Sequence, residues 1–229
     1  MSAQKKVQSF MFGMDNNLAV YLIGLGFVFM FWLVTYARLI RTTKERNLLA
    51  FELKQSKQAN GELKKLALYD GLTGLPNRLL LTDRLKQAIS KAQREQGCFV
   101  VLFLDLDCFK MINDNFGHAA GDLLLRQIAL RLSKKLRQHD TIARMGGDEF
   151  VVVAECITHQ DILAICDKVT DAFASPFFIA GKSLSITTSI GQARYPEDGQ
   201  SLEDLLSKAD HGMYRLKNEK RLDSNYLAR

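Results

Sequence analysis

The alternation of apolar and polar positions divides the chain into three zones. Leu18 to Ala37 (LAVYLIGLGFVFMFWLVTYA) runs for 20 residues without a charge, long enough to span a bilayer as one helix. Residues 38–66 then turn polar, lack proline, and are rich in Lys, Glu, Gln and Leu, which predicts a continuous helix. A 4-3 spacing threads Leu49, Leu53, Ser56, Asn60, Leu63 and Ala67. Ser56 and Asn60 are polar, so any coiled coil there is weak, and the plainer reading is a solvated helical spacer. From Tyr69 onward the pattern is globular. A turn-rich stretch, Asp70 to Arg78, leads into a helix ending near Gln96. Cys98 to Leu104 (CFVVLFL) is a continuous apolar run of strand length, expected to be buried. Ala119 to Gln138 is helical, with Leu125, Ile128, Leu132 and Leu136 on one face. Thr141–Met145 and Phe150–Ala154 read as two strands around a Gly-Gly turn. A helix over Gln160–Phe173, two strands within Phe177–Ala193 around Ala180-Gly181-Lys182, and a last helix from Leu202 to about Lys220 complete the order. The expectation is an α+β domain, helices packed on a mostly antiparallel sheet.

Charge sharpens this division. Residues 1–66 hold ten Lys/Arg against four Asp/Glu, whereas residues 67–229 hold 21 of each. The basic excess lies in the N-terminal part, which argues against a nucleic-acid-binding face on the globular part and fits a segment beside an anionic membrane surface. The apolar run is long for a cleaved signal peptide, and no small-x-small site follows it. Arg38, Arg41, Lys44 and Arg46 follow the run while only Lys5 and Lys6 precede it, so the positive-inside bias puts the C-terminal side in the cytoplasm. The four cysteines form no CxxC pair and the histidines show no matching spacing. Reduced thiols in a cytosolic domain are expected, without a structural zinc.

Carboxylates mark the candidate chemistry. Asp105-Leu106-Asp107 ends the first predicted strand and Asp148-Glu149 follows the Gly-Gly turn. If the two strands are neighbours, Asp105 and Asp148 approach each other, and nearby carboxylates repel unless a proton or cation is shared. Hard oxygen ligands suit Mg²⁺ where phosphate completes the shell, and glycines let a phosphate approach the backbone. The competing reading is a hairpin turn followed by solvated acids. No GxxxxGK[ST] occurs, so a nucleotide would be held without a Walker-type loop. Lys110, Asn113, Asp114, His118 and Asp122 crowd the segment after the first strand; Asn and Asp can read a purine edge, and Lys110 can stabilise phosphate charge. Lys217 and Arg221 lie four apart on the last helix and could clamp a polyphosphate, although such pairs are common on solvated helices.

Several spaced motifs then coincide: DGLTGLPNR (70–78), FLDLDCFKMINDNFGHAAGD (103–122), RMGGDEF (144–150), SIGQARYPEDG (189–199) and ADHGMYRLK (209–217). Over about residues 67–222 the chain resembles the GGDEF-domain diguanylate cyclases. The resemblance implies a palm-like nucleotidyl cyclase fold joining two GTP into cyclic di-GMP with release of two pyrophosphates. It implies two Mg²⁺ ions, with Mn²⁺ as the alternative, on Asp105, the Leu106 carbonyl and Asp148. It places Asn113 and Asp122 on guanine, with His118 and Phe109 close to substrate. Lys110 would stabilise the transition state, Lys217 and Arg221 would meet the terminal phosphates, and Asp148/Glu149 would include the group that deprotonates the 3′-hydroxyl, with Asp148 favoured as also a metal ligand. Two domains, each with one GTP, would meet as a homodimer. Arg137-Gln-His-Asp140 stands where the family has its RxxD product-inhibition site.

This chain departs from the family pattern in three places: Lys220 stands where Gly is usual, Leu222 where Asn is usual, and Gly212 where Ala is usual. The expected organisation is a short segment 1–17, a transmembrane helix 18–37, a helical linker 38–66 and a catalytic domain 67–229, anchored once in the inner membrane with the domain in the cytoplasm. About seventeen residues precede the apolar run, too few for a soluble sensor domain, and no phosphodiesterase-type domain is expected after the last helix. A non-catalytic GTP or cyclic di-GMP receptor on the same fold is the alternative, as is a dimerising membrane stub whose domain only docks partners. Receptors of that type typically lose one of the two acids, and both are present.

Overall fold

The computed structural model describes residues 3–156, 158–179 and 181–227; the side chains of residues 1–5, 7–17, 19, 60, 157, 180 and 221–229 lie outside the described set. Residues 1–62 and 63–229 form separate units. In the first, a single helix, α1 (Ala3–Leu68), runs unbroken through the predicted membrane span, and its last turns belong to the second unit. The start at Ala3 extends the expectation, which had no helix ahead of residue 18. Along it Leu22, Phe27, Phe31 and Trp32 are exposed to 57% or more, as are Leu49, Leu53 and Leu63 of the 4-3 series. Among the described residues nothing covers this band.

In the second unit the elements are α2 (Arg78–Glu95), β1 (Cys98–Leu106), α3 (Phe109–Phe116), α4 (His118–Lys135), β2 (Thr141–Gly146), β3 (Glu149–Cys156), α5 (His159–Ala174), β4 (Phe177–Ile179), β5 (Lys182–Leu184), β6 (Thr188–Tyr195) and α6 (Leu202–Leu227). Asn77 caps α2 by accepting from the Leu79 and Leu80 amides, and Thr158 with Asp161 forms a reciprocal capping box on α5. Caps of this kind contribute about 1 kcal/mol each. One sheet has the order β2-β3-β1-β6, antiparallel at every pairing.

The central strand β1 explains the unbroken apolar run. Val100, Leu102, Leu104 and Leu106 point into a core shared with α4 and α5, while Phe99, Val101 and Phe103 point into a second core with α2 and α6. A strand covered on both faces carries apolar residues at every position. Asp105 continues the second series, so its side chain leaves the sheet on the α6 side.

Four boundaries differ from the sequence reading. The short helix α3 was not anticipated; Cys108, at φ 60°, turns the chain out of β1 into it. Helix α4 stops at Lys135 instead of Gln138, because Leu136 goes extended and its side chain is buried. Asp140 then accepts from the Arg137 amide (2.8 Å) and closes a turn. The expected second hairpin is two structures. Strands β4 and β5 make a separate two-stranded sheet, while β6 joins the main sheet beside β1. The break falls at residues 185–187, where Ile186 is buried in the core and the Thr187 carbonyl accepts from the Asp107 amide at 2.9 Å, drawing the chain across to β1. Lastly, α6 continues past Lys220 to Leu227.

Helix α6 sits close against β6. A Cβ built on Gly191 would lie 1.9 Å from the Ala209 carbonyl oxygen and 2.2 Å from the Met213 nitrogen, both backbone. Gly212, on the helix, faces the same spot, where an added Cβ would be 3.4 Å from the Gly191 Cα.

Candidate functional site

The site forms at the end of the sheet where β1 finishes and β3 begins. The register opposes Asp105 and Glu149, and directly paired residues share a face, so these two carboxylates project together toward α6. The register thus makes Glu149 the strand partner of Asp105, where the sequence reading had looked to Asp148. Asp148 sits in the turn between β2 and β3 and acts electrostatically on both. Asp105 is only 7% exposed. Burial pushes its carboxyl up; Lys217 opposes this by donating to its Oδ1, and Asp148 and Asp107 add to it, with a net rise. Glu149 is likewise raised, first by burial and then by Asp105, Asp148 and Asp210.

Three carboxylates therefore meet with Lys217 as their one close counter-charge among the described residues. This is a set whose charge is incompletely balanced, and a divalent cation fits it. Asp105, Asp148, Glu149 and the Leu106 carbonyl are the groups that could contribute to holding one. Among the described residues no three His, Cys, Asp or Glu side chains are grouped closely enough to hold a metal by themselves.

Lys217 thus pairs with a carboxylate and does not stand free for phosphate. Lys220, three residues on, donates to Asp107 (2.7 Å) and to the Thr188 carbonyl (2.9 Å). Asp107 also accepts from Thr187 (2.5 Å) and Ser189 (2.7 Å). Burial would raise Asp107, but Lys220 and the two hydroxyls more than reverse it and leave the carboxyl below its usual range. The departure from Gly at position 220 therefore has a local role, tying α6 to the ends of β1 and β6. The side chain of Arg221, expected at the terminal phosphates, lies outside the described residues.

The other predicted residues gather on α3 and α4. Lys110 and Asn113 lie on α3, His118 and Asp122 on the first turns of α4, and Gly117 (φ 81°) joins the two helices. The helices pack where α4 presents Gly121: a Cβ there would fall 2.0 Å from Asn113 Oδ1 and 3.1 Å from Phe109 Cζ. Gly121 is the space that lets the Asn113 amide and the Phe109 ring sit against α4. Asn113 is half-buried, with its Oδ1 against Gly121. Lys110, His118 and Asp122 are exposed.

A support beneath the Gly-Gly turn was missed as such in the sequence. Arg144 forks onto Asp70 (Nη1 to Oδ1 3.0 Å and to Oδ2 3.1 Å) and onto the Gly147 carbonyl (Nε 3.0 Å, Nη2 2.7 Å). Its amide donates to the Pro76 carbonyl at 2.9 Å. Gly147 has φ 51° and Gly146 φ 149°, values that a side chain would strain. Burial alone would raise Asp70, but hydrogen bonds from Thr73 and Arg144 leave its carboxyl below the usual range. The available signal was the acid of DGLTG and the arginine before GGDEF, 74 residues apart.

Arg137 and Asp140 lie toward the other end of the sheet, on a cavity of about 220 Å³ that Glu155, Cys156 and Lys168 also line. A second cavity of about 640 Å³ lies between α2 and this same end. Phe99, the last β1 residue lining it, is six positions from Asp105, roughly 20 Å at strand rise. Neither cavity is at the carboxylates.

Residues 67–223 match the family model described as "Diguanylate cyclase, GGDEF domain". The chain is 48% identical over 164 residues to the bifunctional diguanylate cyclase/cyclic di-GMP phosphodiesterase MucR of Pseudomonas aeruginosa, covering 72% of this chain and 24% of MucR. It is 41% identical over 164 residues to the diguanylate cyclase TpbB of the same organism, covering 71% and 38%. The chain thus spans about a quarter to two fifths of the length of these relatives. Among solved structures, the GGDEF domain of TpbB (YfiN) from P. aeruginosa superposes with a TM-score of 0.64 at 40% identity, over 66% of this chain and 89% of that one.

Proposed function

The chain belongs to the GGDEF-domain diguanylate cyclase family, and on that premise we propose that it condenses two GTP into cyclic di-GMP with release of two pyrophosphates. The observation that carries the reading is the buried carboxylate Asp105, opposed to Glu149 across the ladder and within the field of Asp148, at the end of the sheet.

In this reading Asn113 and Asp122 hydrogen-bond the guanine edge, and Phe109 and His118 flank the nucleotide. Asp105, Asp148, Glu149 and the Leu106 carbonyl would hold Mg²⁺, which would supply charge neutralisation at the α-phosphate. The Gly146-Gly147 turn leaves room for phosphate against the backbone. Asp148 accepts the proton of the attacking 3′-hydroxyl at a carboxylate oxygen, and Glu149 sustains the negative field opposite Asp105. Lys110 balances charge that develops on the transferring phosphoryl group. Lys217 and Arg221 would meet the terminal phosphates.

One GTP binds per domain, so catalysis needs two domains face to face as a homodimer. The apolar stretch 18–37 anchors the chain in the cytoplasmic membrane with the domain inside, and confinement there raises the effective concentration of the pair. Arg137 and Asp140 form a product site that restrains turnover.

The test incubates purified full chain with Mg²⁺ and GTP and identifies the nucleotides by mass. Cyclic di-GMP and pyrophosphate are expected, and Asp148→Ala abolishes both. GTP or cyclic di-GMP binding without turnover would replace the cyclase reading with a receptor.

A further inference from the structure

The end of the sheet away from the carboxylates carries a second reactive pair. Cys98 is the first residue of β1 and Cys156 the last of β3, and the register sets them directly opposite. Their sulfurs are 3.9 Å apart. Opposed residues in an antiparallel ladder have Cα atoms about 4.5 or 5.5 Å apart, inside the range of roughly 4.4–6.8 Å that a disulfide bridges. Closing the remaining gap takes about 2 Å of sulfur movement. Both residues lie at strand ends, and Gly97 precedes Cys98, so the ladder yields there at least cost. Both thiols line the cavity of about 640 Å³, which admits a molecule the size of a peroxide.

The surroundings differentiate the two sulfurs. Arg194, on β6, points Nη2 at Cys98 Sγ from 3.6 Å. Its Nε is buried without a hydrogen-bond partner among the described residues. Cys156 is 3% exposed, and burial first of all pushes its thiol up. Cys98 is half-buried, donates to the Cys156 carbonyl and faces the guanidinium, so it is the attacking sulfur and the more deeply buried Cys156 the resolving one.

We propose that Cys98 and Cys156 are a peroxide-oxidisable dithiol that closes to a disulfide joining β1 to β3. The Cys98 thiolate attacks one peroxide oxygen and the O–O bond breaks; Cys98 becomes a sulfenic acid, and the departing hydroxide takes a proton to leave as water. The Cys156 sulfur then attacks the Cys98 sulfur, the S–O bond breaks, and the hydroxyl leaves with the Cys156 proton as a second water. Two thiols give up two electrons and the peroxide accepts them. A small dithiol reverses the step by exchange. Cys156 also lines the cavity that holds Arg137 and Asp140, so the closed bond fixes the wall between the two cavities. None of this depends on the GTP chemistry.

Tryptic peptides 95–110 and 145–168 each carry two cysteines, so the test uses full chain with Cys108→Ser and Cys166→Ser. After hydrogen peroxide the protein is unfolded, alkylated with N-ethylmaleimide, digested without reductant and analysed by mass. The two peptides are expected linked, from a band migrating as one chain without reductant, and dithiothreitol restores two alkylatable thiols. Adding Cys98→Ser leaves Cys156 alkylatable. Recovery of both cysteines alkylated after excess peroxide overturns the proposal. So does a sulfinic acid at Cys98 beside an alkylated Cys156, a link between two chains, or oxidation of Cys156 when Cys98 is absent.

Discussion

Arg144→Ala removes the fork that joins Asp70 to the Gly-Gly turn. The arginine side chain is 11% exposed and that of Asp70 22%, so the pair is neither solvated nor fully dry. Breaking a buried pair costs about 3–5 kcal/mol when the remaining charge is stranded. Here Asp70 keeps the Thr73 amide (2.8 Å) and hydroxyl (2.6 Å), and the Gly147 carbonyl can turn to water. The loss is then about 2–3 kcal/mol, which for a domain of this size lowers Tm by roughly 4–12 °C. The acid dependence gives a second reading. Because the folded carboxyl of Asp70 lies below its unfolded value, it contributes stability above the unfolded pKa of about 4, lost as pH falls through the folded value. Thermal unfolding by circular dichroism should show the gap between wild type and variant at pH 7 shrinking toward pH 2.5. Arg144→Lys keeps charge without the fork and should fall between. Below its Tm, Arg144→Ala should lose about 100-fold in GTP turnover, since the turn carrying Asp148 is no longer fixed. A Tm within 2 °C of wild type, or a gap unchanged in acid, refutes the reasoning.

Glu149→Gln should raise Tm at pH 7 by a few degrees, about 1 kcal/mol, while lowering turnover. Burial and the neighbouring carboxylates hold Glu149 above its unfolded pKa, so its stability contribution declines as pH rises from the unfolded value through the folded one, and calorimetry against pH should show that slope flattened in the variant. Gly121→Ala should leave Tm near wild type, because alanine gains about 1 kcal/mol of helix propensity, yet weaken GTP binding about tenfold through displacement of Asn113; titration calorimetry with GTP and ATP measures both affinity and discrimination. Arg137→Ala should relieve inhibition by added cyclic di-GMP with the initial rate nearly unchanged, since the Asp140 turn rests on the Arg137 amide and not its side chain; progress curves with and without product decide it.

Much of the fold was legible because both faces of β1 are covered, which makes an apolar run a reliable strand, and because Gly-Gly between two such runs marks a hairpin. The break between β5 and β6 was not, since residues 185–187 look like continuing strand and only Ile186 burial and the bonds to Asp107 divert them. Helix α3 was hidden in a segment crowded with polar residues whose helical face shows only against α4. At the site, Asp105 and the acids after the turn were visible as an adjacency, but the register that opposes Asp105 to Glu149 was not. Lys217 was expected at phosphate and is found on Asp105, a pairing set by where α6 crosses the sheet.

That crossing has a wider consequence. At Gly191 the helix is located by backbone against backbone, with no side chain between. The helix is thus held twice over: by main chain at Gly191, and further along by Lys217 on Asp105 and Lys220 on Asp107. Replacing either lysine strands a carboxylate at the strand ends while the backbone contact at Gly191 remains, so a change there reaches the carboxylates before it reaches the seat of the helix.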